Sequence, residues 1–229
     1  MAAPELQSSC RSGAHTLAAH DLRLDRGART IIGGLSFVIE AGQVLILRGA
    51  NGSGKTSLLR ILAGFTLPDA GVIKWNGELL KALSPTWREA ALYLGHINAL
   101  KDDLSAHENL VDALAIDGIS TTPAAQLQAL DKVGLLDCRG VMARRLSQGQ
   151  KRRVGLARLS LALTDAPHKR LWLLDEPTNA LDADGVLLFT NLIRAHLERG
   201  GIACIATHLA LDLALPVKEI SLDALREVA

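Results

Sequence analysis

The stretch "ILRGANGSGKTSLLRILAG", residues 46–64, decides how the rest of the chain is read. From Gly49 to Thr56 it fills the pattern Gly-x-x-x-x-Gly-Lys-Ser/Thr. Before it lies an apolar run, "VLIL" (44–47), and after it a helix with an apolar stripe (55–63), the setting that pattern requires. The chemistry asks for these residue types in this order. Gly49, Gly52 and Gly54 let the main chain of the 49–57 segment, with Ala50, Asn51, Ser53 and Ser57, wrap closely and aim its N–H groups inward. Lys55 brings a point charge to the β- and γ-phosphates, and the Thr56 hydroxyl is placed to ligate Mg²⁺. The helix start adds its positive dipole. The reading is a nucleoside triphosphate site.

Two more runs, "LWLL" (171–174) and "IACIA" (202–206), are apolar on both faces. Such strands suit a parallel sheet covered by helices on both sides. Upstream, "LRLD" (22–25) alternates, and "LSFVIE" (35–40) places Leu35, Phe37 and Ile39 on one face. Asn76-Gly77 is a strong hairpin signal. A helix is predicted through "GVLLFTNLIRAHLERG" (185–200), with Gly64 and Gly200 as helix stops. Between these α/β pieces, about 103–165 reads as helical. Ser105 and Glu108 form a capping box, and Thr122-Pro123 opens a helix with Leu127, Leu130 and Val133 on one face. The expected architecture is α/β: a P-loop NTPase core with an N-terminal antiparallel β part and a small helical subdomain at about 85–165. Residues 16–229 form one domain behind a flexible extension, 1–15.

With 229 residues, 48% hydrophobic content and a net charge of +1, the chain suits one core and not a protein that coats nucleic acid. Aromatics at 3% argue against a base-stacking surface. Cys10, Cys138 and Cys204 show no metal or redox spacing, which reads as reduced thiols in a cytosolic protein. No apolar run reaches the roughly 18 residues of a membrane span, and the first fifteen residues lack a secretory core. The expectation is no direct membrane insertion and no nucleic acid partner.

"RLWLLDEPTNALD" (170–182) puts Asp175 and Glu176 at the end of an apolar strand. One carboxylate there can hold Mg²⁺ through water, and the next can polarise an attacking water. His208, in "IATHLALD" (205–212), emerges past another core strand on the same edge.

"RRLSQGQKRRVGLARLSLA" (144–162) poses a different question. Ser147 and Gln150 form a capping box, yet helix-start chemistry is also anion-binding chemistry. The chain already has a phosphate loop, so a second use of this turn leads to a second molecule: each copy offers its turn to the nucleotide held by the other. Lys151, Arg152 and Arg153 behind it read as a solvated helix face.

"GANGSGKTS", "LSQGQ", "LWLLDEP", "NALD" and "ATH" occur here in the order of ABC-transporter ATP-binding subunits, which the chain resembles from about residue 16 onward. The resemblance implies an ABC-type, RecA-like core that binds ATP and Mg²⁺ as a homodimer. It implies that Ser147, Gly149 and Gln150 contact ATP across the dimer and that Asp175 is the metal-associated acid. Glu176 is then the residue that activates water, His208 the histidine that senses the γ-phosphate, and Asp182 part of the loop coupling the two sites.

Two positions depart from that pattern. The Gln expected after "ALYL" is replaced, in "ALYLGHINALKDDLSAHENL" (91–110), by His96. It is either an acceptor for a metal-bound water or a loop His touching no nucleotide. The aromatic expected to stack on adenine is replaced by Arg26, whose guanidinium can stack on a base. With "WNGE" and "ERGGIACIATH", these features are similar to the ATP-binding subunits of the cytochrome c biogenesis haem exporter. That similarity implies integral membrane partner subunits, a peripheral position on the cytoplasmic side of the bacterial inner membrane, and ATP hydrolysis that releases a haem-loaded chaperone. A single-domain ABC ATPase of another transporter, or of a metal-cluster assembly scaffold, stays open as the alternative.

Overall fold

In the computed structural model, residues 15–27, 29–81, 84–96, 99–215 and 217–225 are described. Most of the predicted extension, with Cys10, lies outside them. The chain opens with β1 (Thr16–Arg26), β2 (Arg29–Glu40) and β3 (Val44–Arg48), followed by α1 (Lys55–Leu62). Next come β4 (Ala70–Trp75), β5 (Glu78–Leu79), α2 (Pro85–Ala90) and β6 (Ala91–Leu94). Three helices follow: α3 (Ala106–Asp117), α4 (Pro123–Lys132) and α5 (Gln148–Asp165). The chain then returns through β7 (Leu171–Asp175), α6 (Ala183–Glu198), β8 (Ile202–Ala206) and β9 (Val217–Ser221).

One sheet is antiparallel, in the order β2-β1-β4-β5, and the Asn76-Gly77 turn that closes β4 onto β5 has positive φ at both residues, as a tight hairpin requires. The other has the order β6-β7-β8-β3-β9, and its neighbouring strands run parallel. Alternate residues of its central strands enter two different cores, because successive side chains leave a strand on opposite faces. Leu45, Leu47, Leu171, Leu173, Ile202 and Cys204 join the core shared with α1 and the antiparallel sheet. Val44, Ile46, Trp172, Leu174, Ala203 and Ile205 join the core shared with α3, α5 and α6. That double burial is why "VLIL", "LWLL" and "IACIA" carry no polar face.

The helices start where their caps predict. Ser105 with Glu108 and Ser147 with Gln150 form complete capping boxes, and Thr122 caps α4. Leu130 and Val133 are buried, but Leu127 sits at the edge of that face, 36% exposed. The C-terminus of α3 is tied to α5 by a bidentate ion pair, with Arg158 Nη2 2.6 Å from Asp117 Oδ1. α6 begins two residues earlier than its sequence pattern suggests, because Asp182 accepts a hydrogen bond from the Gly185 amide.

His196, near the end of α6, is buried against Trp172 with ring centroids 4.0 Å apart, and its Nε2 lies 3.2 Å from the Ile202 carbonyl. Burial lowers its pKa to about 4. The unfolded chain therefore takes up a proton between about pH 6.5 and 4 that the folded chain refuses. This contribution to stability is full above pH 6.5 and falls away as the pH drops toward 4, by about 3 kcal/mol in all. Urea unfolding from pH 7 to 4.5 should show this slope, and His196→Phe, which keeps the stacked ring, should flatten it.

Candidate functional site

The carboxyl ends of β7, β8 and β3 lie side by side, and the functional groups leave the sheet there. Asp175 has the same parity as Leu171 and Leu173, so it faces α1. Glu176 follows at φ 48, a left-handed conformation that a glutamate adopts only when its surroundings hold it; its amide is bonded to the Ala206 carbonyl at 2.8 Å. β8 runs between β7 and β3, so His208, just past its end, falls between the other two. Its Nε2 is 3.3 Å from Glu176 Oε1 and 3.3 Å from Lys55 Nζ.

Residues 51–57 form the floor of a cleft of about 440 Å³, lined also by Arg26, Ile31, His96, Asp175 and Glu176; Gly49, Ala50 and His208 are not among its lining. Gly54 enters α1 at φ 103, and a Cβ there would lie 2.6 Å from Ile31 Cγ2, so only glycine fits. α3, α4, α5 and α6 each begin with a side-chain cap, whereas α1, like the six-residue α2, has neither a capping side chain nor an acidic residue in its first turn. Its amide dipoles are left to an external anion. Lys55, 7% exposed, donates to the carbonyls of Gly49 (2.6 Å) and Ala50 (3.2 Å). Two polar atoms in this region are buried without a partner: Ser53 Oγ and Asp175 Oδ2. An orphaned carboxylate oxygen beside a phosphate loop fits a metal-bound water. Among the described residues no cluster of three His, Cys, Asp or Glu side chains could hold a metal alone.

Both departures from the expected pattern face this cleft. Arg26 donates to Ser57 Oγ at 3.1 Å and lies at its rim. His96 lines it from two residues beyond β6. Four supporting contacts had no signal in the sequence. Asp223, after β9, accepts from the Ala50 amide at 3.0 Å. Arg48 donates to the carbonyls of Thr207 and Leu209, on either side of His208. Cys138 Sγ accepts from Gln150 Nε2 at 3.5 Å. Arg152 corrects the expectation of a solvated basic face: it is 3% exposed and donates to the carbonyls of Gly95 and His96. Burial lowers its pKa, and the charges of Asp175 and Glu176 pull it back up. Residue type alone cannot say which side of a helix the fold will cover.

Ser147, Gly149, Gln150 and Asp182 do not line the cleft of their own chain. Ser147 Oγ accepts from the Gln150 amide while Gln150 Oε1 accepts from the Ser147 amide, and Ser147 is exposed. Asp182 is held in place by Arg153, at 2.6 and 2.9 Å. Its pKa is lowered chiefly by the Gly185 amide and further by Arg153. The turn therefore packs against the segment after β7: a Cβ on Gly149 would lie 2.8 Å from the Ala180 carbonyl. Gly149→Ala should lower stability by about 1–3 kcal/mol in urea unfolding, because neither backbone can yield freely.

Comparison with known proteins bears on this arrangement. The ABC transporter family model matches residues 32–179. The cytochrome c biogenesis ATP-binding export protein CcmA of Dechloromonas aromatica (strain RCB) is 42% identical over 208 residues, spanning 90% of this chain and 99% of that protein. The protein of the same name from Cupriavidus necator is 41% identical over 224 residues, spanning 96% and 95%. Among solved structures, a dimeric ATP-binding cassette in a post-hydrolysis state, bound to ADP and Pi, superposes with a TM-score of 0.70 at 21% identity, over 84% of this chain and 88% of that one. The motif order, the sheet topology and these likenesses agree: the chain belongs to the ABC transporter family and, within it, to the cytochrome c biogenesis ATP-binding export proteins.

Proposed function

We propose that two copies of this chain close head to tail on two ATP molecules, each copy's Ser147–Gln150 turn completing the phosphate cleft of the other. The chain is an ATP-hydrolysing transporter subunit of cytochrome c biogenesis, as its family membership states; the division of labour within it is the proposal. One observation carries it. The phosphate cleft is lined from one side by its own chain, while the capped, exposed turn at the head of α5 lies outside that cleft. Two-fold pairing brings the two together without rebuilding either.

In the closed pair, the 51–57 amides and Lys55 hold the β- and γ-phosphates. Lys55 exchanges its carbonyl partners for phosphate oxygens, which are stronger acceptors because they are charged. Thr56, Asp175 and His96 would hold Mg²⁺, directly or through water. Once bound, that ion neutralises charge developing on the phosphates. Glu176, held by the turn after β7, takes the proton of the attacking water, and His208 keeps its carboxylate aimed at the γ-phosphate. Arg26 packs its guanidinium against the base.

Among the described residues no helix is long and apolar enough to cross a membrane. In this reading the work of hydrolysis is passed to integral membrane partner subunits, on the cytoplasmic face of a bacterial inner membrane, where it drives release of a haem-loaded chaperone. The relatives' own name, an ATP-binding export protein of cytochrome c biogenesis, supports this reading.

Glu176→Gln should retain ATP binding, lower hydrolysis by about 10²–10⁴-fold, and accumulate as an ATP-stabilised dimer on size-exclusion chromatography. Purified from its membrane in mild detergent, it should carry membrane subunits; capture of soluble partners alone would set aside the export reading. A mixing experiment tests the shared sites. Lys55→Ala and Ser147→Arg should each be inactive alone. Mixed, they form one composite site with both groups intact, so ATPase activity should return; continued inactivity of the mixed dimer would place the turn outside the reaction.

A further inference from the structure

We infer that Arg152 is a positioning residue for His96: its guanidinium fixes the His96 segment to helix α5, so that the helix carrying the Ser147–Gln150 turn also sets the place of His96 in the nucleotide cleft. The inference rests on the proposed use of His96 at that cleft and adds how its position is set.

Arg152 donates from Nη1 to the Gly95 carbonyl at 3.1 Å and from Nη2 to the His96 carbonyl at 3.0 Å, and it is 3% exposed. Among the described residues it forms no ion pair with a carboxylate. A guanidinium removed from water, bonded to two neutral acceptors and favoured by the charges of Asp175 and Glu176 only beyond ion-pair distance, is a poor choice for packing alone, since an apolar side chain would fill the space without desolvating a charge. Its planar fork suits two consecutive carbonyls; a lysine's point charge does not.

The connection it makes joins two otherwise separate parts of the site. Arg152 lies five residues beyond Ser147 on the same helix, and His96 is the second residue after β6, on the way to α3. Arg153, its neighbour, reaches the other way to Asp182 and the Val133 carbonyl. The first turns of α5 are thus bonded both to the His96 segment and to the segment before α6. Arg48 does the same for His208, donating to the carbonyls on either side of it. The segments carrying His96 and His208 are thus each held by an arginine that grips main chain, not the imidazole.

The test is a double-mutant cycle on the purified full chain, with steady-state ATPase and binding of a fluorescent ATP analogue as readouts. Arg152→Gln should lower kcat about tenfold or more with the analogue's Kd changed less than twofold, and Arg152→Lys should not rescue it. His96→Ala should lower kcat similarly. In the His96→Ala background, Arg152→Gln should then cost little more, because both changes remove the same contribution. Thermal unfolding of each variant identifies any loss of folded protein, and kcat is taken per folded, nucleotide-binding molecule. Two independent, multiplicative losses would overturn the inference. So would a full rescue by lysine, or a His96→Ala protein with unchanged kcat; none of these touches the reading of the chain as an ATPase.

Discussion

Burial of the parallel sheet on both faces is the constraint from which the rest follows. Every side chain of β7 and β8 is buried, so their polar chemistry can begin only where the strands end. The strands run parallel, so those ends share one edge. The order β7-β8-β3 then spaces Glu176, His208 and the phosphate loop as neighbours. His208 sits 3.3 Å from both Glu176 and Lys55 because its strand lies between theirs. Strand parity adds the last detail by turning Asp175 toward α1.

The helical lobe works under a different constraint. α5 begins with a complete capping box, so the hydrogen bonds that make it a good helix start also hold Ser147 and Gln150 in fixed positions. Ser147 is exposed, while Gln150 is half-buried with its Nε2 donating to Cys138 Sγ. Behind the turn, arginine is the means of connection. Arg158 ties α5 to α3, Arg153 ties it to Asp182, and Arg152 ties it to the His96 segment. Each uses the planar geometry that lets one cation satisfy two acceptors. The lobe is therefore joined to the nucleotide cleft by specific bonds as well as by apolar contact.

Much of the site was legible because its chemistry is local. The phosphate loop needs its glycines, Lys55 and Thr56 within eight residues, and Asp175 and Glu176 are consecutive. Capping boxes span four residues, and the hairpin signal two. Arg152 was not legible, nor were Arg48 and Asp223, since each acts on main chain between 56 and 173 residues away. A hydrogen bond to a carbonyl leaves no mark on the residue that accepts it, because every residue has one.

The sequence by itself determined the fold class, the phosphate loop, the acidic pair and the capped turn, because each depends on residue types at short fixed spacings. Only the tertiary structure decided that Arg152 lies inside, that His96 and Arg26 face the same cleft as the loop, and that the Ser147 turn does not. Those outcomes depend on which faces the folded chain covers. That is settled by strand order and by helix packing across the whole domain, and no local pattern encodes it.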